Sequence, residues 1–235
     1  MKKNYTTLLF DADGTLLDFE ATEKKALDLT FEKHGYPFTK EMKKRYEIIN
    51  SRLWKDYEDG KIDRDTVIYS RFKLLFEEFG IDDDGIAFED RYQEELGRGH
   101  DVINHALPLV QDLCQNYHLH IVTNGVVATQ YSRLKDSTLD QYMEHIFVSE
   151  EIGHQKPRKE YFDHCFSVLN DVNKEEMLII GDSLSSDMQG GINAGIDTCW
   201  FNPKGKANDK QLPLTYEISD LRQLYTIIGK DDNHE

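Results

Sequence analysis

The chain has 235 residues, of which 39% are hydrophobic, so it can bury a sizeable core and is not a generally disordered protein. Lysine and arginine number 28 against 44 aspartate and glutamate residues, which gives a formal net charge of −16 at pH 7. Such an acidic surface repels duplex nucleic acid and anionic membranes, and no segment approaches the roughly 18 apolar residues of a membrane span. We therefore expect a cytoplasmic protein, monomeric or a small homo-oligomer, with neither kind of partner.

The predicted elements begin with a short strand, Leu8 to Phe10, that ends in a turn containing glycine. From Glu20 to about Leu96 the apolar residues recur at helical spacing, with Thr39 as a predicted N-cap and Gly80 as the predicted C′ residue that follows the end of a helix. From Leu107 onward helices and strands alternate. The predicted strands cover 119–122, 146–148, 177–180 and 198–201, and predicted helices lie near 130–134, 159–169 and 185–194.

This alternation is typical of a parallel sheet with helices on both faces. It predicts an α/β fold with a three-layer, Rossmann-like core formed by residues 1–17 and 98–235. The helical segment 18–97 is predicted to be a separate cap, inserted after the first strand.

Polar residues follow several of the predicted strands, where ligands bind in such sheets. Four carboxylates placed at one edge would repel one another, and Mg²⁺ bound through some of them relieves that repulsion and bridges to a phosphate. The residues concerned are Asp11, Asp13, Gly14 and Thr15, then Thr123, Asn124 and Gly125, then Lys156, and finally Asp182, Ser183 and Asp187.

Each fragment alone has a simpler interpretation. The Asp-x-Asp-Gly sequence also occurs in calcium loops, but that register places Leu9, inside an apolar strand, at the first ligand position. The acidic run 82–84 fails the same comparison and is predicted to be a solvated loop. The other fragments, taken singly, are common turns and surface loops.

In their order along the chain, however, these residues resemble the four motifs of the haloacid dehalogenase-like hydrolases. The resemblance implies that Asp11 is a nucleophile and that Asp13 is the general acid and base. Dehalogenases of this family lack an acid at the Asp13 position. The resemblance also implies phosphate-binding residues (Thr123, Asn124 and Lys156) and Mg²⁺ held by the Asp11 carboxylate, the Asp13 carbonyl and Asp182, with Asp187 acting through water or by orienting Lys156.

Two stretches, 123–137 and 146–157, further resemble the bacterial pyrimidine 5′-nucleotidases. This resemblance implies a Mg²⁺-dependent phosphatase that forms a phosphoaspartate, acts on pyrimidine nucleoside 5′-monophosphates and selects them through its aromatic-rich cap. Most side chains of these stretches, Gln130 and Arg133 among them, are expected to pack rather than to read a base. A sugar-phosphate or phosphoglycolate phosphatase, a phosphomutase and a non-catalytic binding module remain open as alternatives.

Overall fold

A computed structural model of the chain describes residues 3–169 and 173–230. The chain divides into two compact units, one made of Met1–Phe19 and His100–Glu235 and the other of Glu20–Gly99. The larger unit contains the strands β1 (Thr7–Phe10), β2 (His118–Thr123), β3 (His145–Val148), β4 (Met177–Gly181), β5 (Asp197–Phe201) and β6 (Tyr216–Ile218). Its helices are α5 (Ala106–Leu113), α6 (Val127–Asp136), α7 (Ser149–Ile152), α8 (Lys159–Val168), α9 (Gln189–Ala194) and α10 (Gln223–Ile228).

Within the described residues the strands form one six-stranded sheet in the order β3-β2-β1-β4-β5-β6. Every neighbouring pair is parallel. The first strand of the chain lies between β2 and β4, and its last residue, Phe10, pairs with Ile121 and Ile180. The carboxyl ends of β1, β2 and β4 therefore adjoin one another, and the predicted α/β class with a parallel sheet is confirmed.

The sheet is buried on both faces because its strands are apolar at consecutive positions rather than at alternate ones. Leu8 and Phe10 point into a core that also contains Leu109 of α5 and Leu224 of α10. The intervening Leu9 points into a second core, which contains the side chains of Tyr161, Phe162 and Cys165 from α8. Helices thus cover both faces, which gives the three layers.

The smaller unit contains α2 (Lys40–Glu58), α3 (Arg64–Phe79), α4 (Ile86–Gly97) and nearly all of α1 (Phe19–His34). Two predicted helix ends are confirmed: the Thr39 hydroxyl accepts a bond of 3.1 Å from Met42 N, and Gly80 ends α3 in the left-handed region. Buried aromatic side chains form much of the core of this unit, with the rings of Phe31 and Phe88 4.7 Å apart between centroids. None of the described helices, in either unit, is long and apolar enough to cross a membrane.

Two details differ from the sequence-based prediction. The predicted helix 185–194 is not uniform, because Leu184–Met188 forms a turn of π-helix before α9 begins. The edge strand β6 and the helix α10, which follow the predicted strand 198–201, were not predicted. The β6 strand has three residues, of which only Ile218 is buried, so its sequence carries little strand pattern.

His120 on β2 is a buried imidazole whose ring lies 6.2 Å from that of Phe147, a member of the second core, between centroids. Its side chain is only 1% exposed, its Nδ1 atom has no hydrogen-bond partner among the described residues, and the His145 ring lies 5.4 Å away between centroids. Burial lowers the pKa of His120 from 6.5 to about 4, although the nearby Glu144 charge opposes the shift. The folded protein therefore binds this proton less readily than the unfolded chain does between about pH 4 and 6.5.

We expect this histidine to destabilise the protein as the pH falls through that window, by up to about 3 kcal/mol. The measurement is the free energy of unfolding in urea near neutral pH and near the lower end of the window, for the wild type, His120→Phe and His164→Gln, which alters an exposed histidine on α8. His120→Phe should lose less stability on acidification than the other two proteins. Equal losses in all three would contradict the assignment. The comparison with His164→Gln cancels other groups, such as Asp182, whose raised pKa acts in the opposite sense.

Candidate active site

Asp11 occupies the first position after the central strand. Its main-chain N–H donates to Ile180 O at 2.8 Å, which continues the sheet one residue beyond β1, and its carboxylate accepts a bond of 3.3 Å from the Thr15 hydroxyl. The loop then turns at Gly14, whose φ is 83°. A Cβ atom there would lie 2.9 Å from the Asp182 carboxylate, so glycine is required both by the backbone conformation and by the close approach of that acid.

Lys156 joins the motifs in space. Its ammonium donates at 2.7 Å each to Asp11 Oδ1, Asp187 Oδ1 and the carbonyl of Val122. All three hydrogens of the ammonium are thereby used, and the side chain is almost completely buried. The lysine thus links the predicted nucleophile to Asp187 and to Val122, the next-to-last residue of β2.

Thr123 and Asn124 lie at the carboxyl end of β2. The Asn124 side chain is engaged with the Lys156 main chain, accepting from its N–H at 2.9 Å and donating to its carbonyl at 3.0 Å. The Thr123 hydroxyl accepts from Gly125 N at 3.2 Å and from Gln130 Nε2 at 2.6 Å. The amide of Asn124 therefore fixes the lysine loop, while its predicted contact with phosphate stays a prediction.

Asp182 follows directly after β4, and Asp187 lies in the turn of π-helix that comes next. The Asp187 carboxylate accepts from Ser183 N at 3.1 Å and, through its other oxygen, from Lys156. It approaches the end of β4 so closely that a Cβ atom on Gly181 would lie 2.3 Å from it. Among the described residues no donor bonds to the Asp182 carboxylate, whereas its main-chain carbonyl accepts from Trp200 Nε1 at 2.9 Å.

These three acids oppose one another electrostatically. Burial, followed by repulsion from Asp187, raises the pKa of Asp11, and the Lys156 charge only partly offsets the rise. The same two causes raise the pKa of Asp182 to about 7. Burial lowers the pKa of Lys156, but Asp11 and Asp187 outweigh that effect and raise it overall.

The cluster fits a hard divalent cation. Asp11, Asp182 and Asp187 each present an oxygen, and these oxygens lie within 4.8 Å of one another. Within the described residues one ammonium, that of Lys156, bonds to Asp11 and Asp187, and no donor bonds to the Asp182 carboxylate. The charge of Lys206 offsets only part of the rise in the Asp182 pKa. Mg²⁺ prefers carboxylate oxygens, and at this position it would supply the positive charge that keeps Asp11 ionised. Its coordination by the Asp13 carbonyl stays a prediction.

Asp13 meets two side chains whose role the sequence analysis missed. Arg133 donates from Nη1 to Asp13 Oδ1, and Gln130 donates from Nε2 to Asp13 Oδ2 at 2.8 Å. Both donors come from α6, where their spacing of three residues places them on one helix face, a pattern that does not by itself show which partner the face meets. The structure thus brings the predicted site residues to one edge of the sheet, and Gln130 and Arg133 lie there with them.

A parallel α/β fold with acids after its first and fourth strands and a buried lysine between them defines a hydrolase of the haloacid dehalogenase-like type. The chain belongs to that family, whose model matches residues 8–201. It is 48% identical over 227 residues to the HAD-hydrolase YfnB of Bacillus subtilis, covering 97% of each chain. A crystal structure of YfnB bound to magnesium superposes with a TM-score of 0.93, over 97% of this chain and 100% of that one.

Two other relatives carry a more specific name. The pyrimidine 5′-nucleotidase PynA of Streptococcus pneumoniae is 38% identical over 228 residues, which cover 97% of this chain and 96% of PynA. The pyrimidine 5′-nucleotidase YjjG of Escherichia coli is 29% identical over 223 residues, which cover 95% of this chain and 97% of YjjG.

Proposed function

We propose that this hydrolase is a Mg²⁺-dependent phosphatase that cleaves small phosphate monoesters through a phosphoaspartate on Asp11. The observation that carries the proposal is the buried Lys156 ammonium, 2.7 Å from Asp11 Oδ1 and from Asp187 Oδ1, beside Asp182. The three carboxylates make this cluster negatively charged, so it binds a phosphate only when a cation binds with it. Mg²⁺ supplies that positive charge and bridges the carboxylates to the phosphate.

The proposed chemistry has two steps. In the first, a carboxylate oxygen of Asp11 attacks phosphorus and the bond from phosphorus to the ester oxygen breaks. Asp13, which enters this step as the protonated acid, gives its proton to the departing alcohol and becomes a carboxylate. In the second, water attacks the same phosphorus, Asp13 takes the proton of that water, and the bond from phosphorus to Asp11 breaks. Inorganic phosphate is released, and Asp11 and Asp13 return to their original protonation states.

The transferring phosphoryl group needs donors for its oxygens. We assign this role to Thr123 and Asn124 at the carboxyl end of β2, and to Lys156 once one of the three hydrogen bonds of its ammonium is exchanged for one to a phosphate oxygen. The Thr123 hydroxyl already accepts two hydrogen bonds, so its own hydrogen is available to a phosphate oxygen. The Asn124 side-chain amide is held by Lys156, which leaves its main-chain N–H for this role.

We propose pyrimidine nucleoside 5′-monophosphates as the substrates. The support is that PynA and YjjG, which bear the name pyrimidine 5′-nucleotidase, match the chain over at least 95% of its length. The acidic chain has no need of a nucleic-acid or membrane partner for this reaction, since the substrate is a small molecule. A site that selects mainly by size would favour the smaller pyrimidine ring over a purine. It would also accept pyrimidines that carry small ring substituents.

The test is kcat/KM for dUMP, dTMP, dAMP, glucose 6-phosphate and phosphoglycolate at one Mg²⁺ concentration, because this ratio reports discrimination in the transition state. We expect both pyrimidine nucleotides to exceed the other three by about 10-fold or more. If dAMP or a non-nucleotide exceeds both, the substrate assignment is wrong and the phosphatase assignment stands. Phosphate release from none of them, nor from p-nitrophenyl phosphate, would refute the phosphatase.

A further inference from the structure

The carboxylate of Asp13 is held at both oxygens by α6. Arg133 donates to one oxygen and Gln130 to the other, and the Asp13 side chain keeps 27% of its surface exposed while that of Arg133 is fully buried. Each carboxylate oxygen has about two acceptor directions, so one donor on each leaves a direction open towards a leaving group or a water. The two contacts thus orient the group without consuming its capacity to react.

The two donors are themselves fixed. The Arg133 guanidinium lies over the Phe19 ring, 5.5 Å from its centroid, and its Nη1 also donates to Gln130 Oε1 at 3.2 Å. Gln130 donates to the Thr123 hydroxyl as well as to Asp13. A continuous chain of contacts therefore runs from the end of β2 through α6 to Asp13.

We propose that Arg133 is a positioning residue for Asp13, with Gln130 tying that carboxylate to the Thr123 end of the site. The inference rests on the proposed phosphatase function, in which Asp13 transfers the proton. A partly exposed aspartate has several accessible rotamers, and proton transfer needs one of them. Arginine suits this role because its planar group binds a carboxylate oxygen and stacks on a ring at the same time.

The competing explanation is that Arg133 only fills space, since a buried ion pair affects stability whatever else it does. Kinetics separate the two explanations. If the Asp13 carboxyl is no longer held in place, kcat falls more for substrates with poor leaving groups than for those with good ones, because only poor leaving groups need a proton. A substitution of Arg133 that acts only by misplacing Asp13 should therefore have no additional effect on kcat in a protein that already lacks the Asp13 carboxyl.

The experiment is a double-mutant cycle of Arg133→Met and Asp13→Asn, with dUMP as the poor leaving group and p-nitrophenyl phosphate as the good one. We expect Arg133→Met to lower kcat for dUMP about 10- to 100-fold, with KM nearly unchanged, and to affect p-nitrophenyl phosphate much less. Arg133→Lys should recover part of the loss. In the Asp13→Asn background, Arg133→Met should change kcat by no more than about 2-fold.

Arg71→Met is the matched control, because Arg71 is also a fully buried arginine, bonded to Glu89 at 2.6 and 2.8 Å in the smaller unit. It should lower the thermal midpoint without changing the ratio of kcat for the two substrates. Losses that multiply in the cycle, or an Arg133→Met effect that is equal for both substrates, would overturn the inference. Arg133→Lys decides by the same criteria if Arg133→Met does not fold.

A readout independent of turnover separates this inference from the proposed function. Crystal structures of the wild type and of the Arg133 variants report the orientation of Asp13 directly. We expect the Asp13 carboxylate to leave its position or to occupy more than one rotamer when the guanidinium is absent, and an unmoved carboxylate overturns the positioning role. A wild type that hydrolyses no phosphate ester would refute the phosphatase, whereas the structures would still decide the role of Arg133.

Discussion

We expect the Asp11→Asn protein to fold normally and to lose phosphatase activity by at least about three orders of magnitude. Asparagine has nearly the volume of aspartate, but its amide is not a nucleophile and its neutral group binds a cation weakly. The fold should tolerate the change because Lys156 keeps its bonds to Asp187 and to the Val122 carbonyl. One of three mutually repelling acids is also removed, so the thermal midpoint should not fall.

The measurements are phosphate release and the mass of the acid-quenched enzyme during turnover. The wild type should carry a covalent phosphoryl group and Asp11→Asn should carry none. Asp209→Asn, which alters an exposed aspartate, is the control for purification and for contaminating phosphatases. Activity like that of the wild type in purified Asp11→Asn would end the phosphoaspartate mechanism.

The meeting of Asp11 and Asp182 could be predicted because it follows from one rule about parallel sheets. Each residue comes directly after an apolar strand, and the strands β1 and β4 are neighbours in register. Their carboxyl ends must then lie side by side. These strands could be predicted because strands buried on both faces appear in the sequence as short continuous runs of apolar residues.

The contacts of Gln130 and Arg133 could not be predicted in the same way. Polar residues three positions apart on an amphipathic helix usually mark its solvated face, and nothing local distinguishes a face that meets Asp13. The same limit applies to β6, where pairing depends on β5 and on a bond of 2.7 Å from Asn202 N to the Ile218 carbonyl. In both cases the determining interaction joins segments that are distant in sequence.

We expect phosphatase activity to vanish in excess EDTA and to return with Mg²⁺. Without a metal ion, the buried Asp11 and Asp187 and the half-buried Asp182 have one directly bonded ammonium among the described residues, and a phosphate would add further negative charge. Calcium should substitute poorly, because its longer and looser coordination misplaces a carboxylate that must attack phosphorus. Full turnover in excess chelator would refute the assigned metal site.

A binding measurement tests the same site without relying on activity. A cation that binds only the folded protein raises its stability, by about 2.7 kcal/mol at 100 times the dissociation constant. We therefore expect Mg²⁺ to raise the thermal midpoint of the wild type and to have little effect on Asp182→Asn, which removes the acid that no described donor contacts. Asp209→Asn should respond as the wild type does. If Mg²⁺ raised the thermal midpoint of Asp182→Asn as much as that of the wild type, the cation would bind outside this cluster. Asp11 and Asp187 are already bonded to Lys156 and cannot replace the missing ligand unaided.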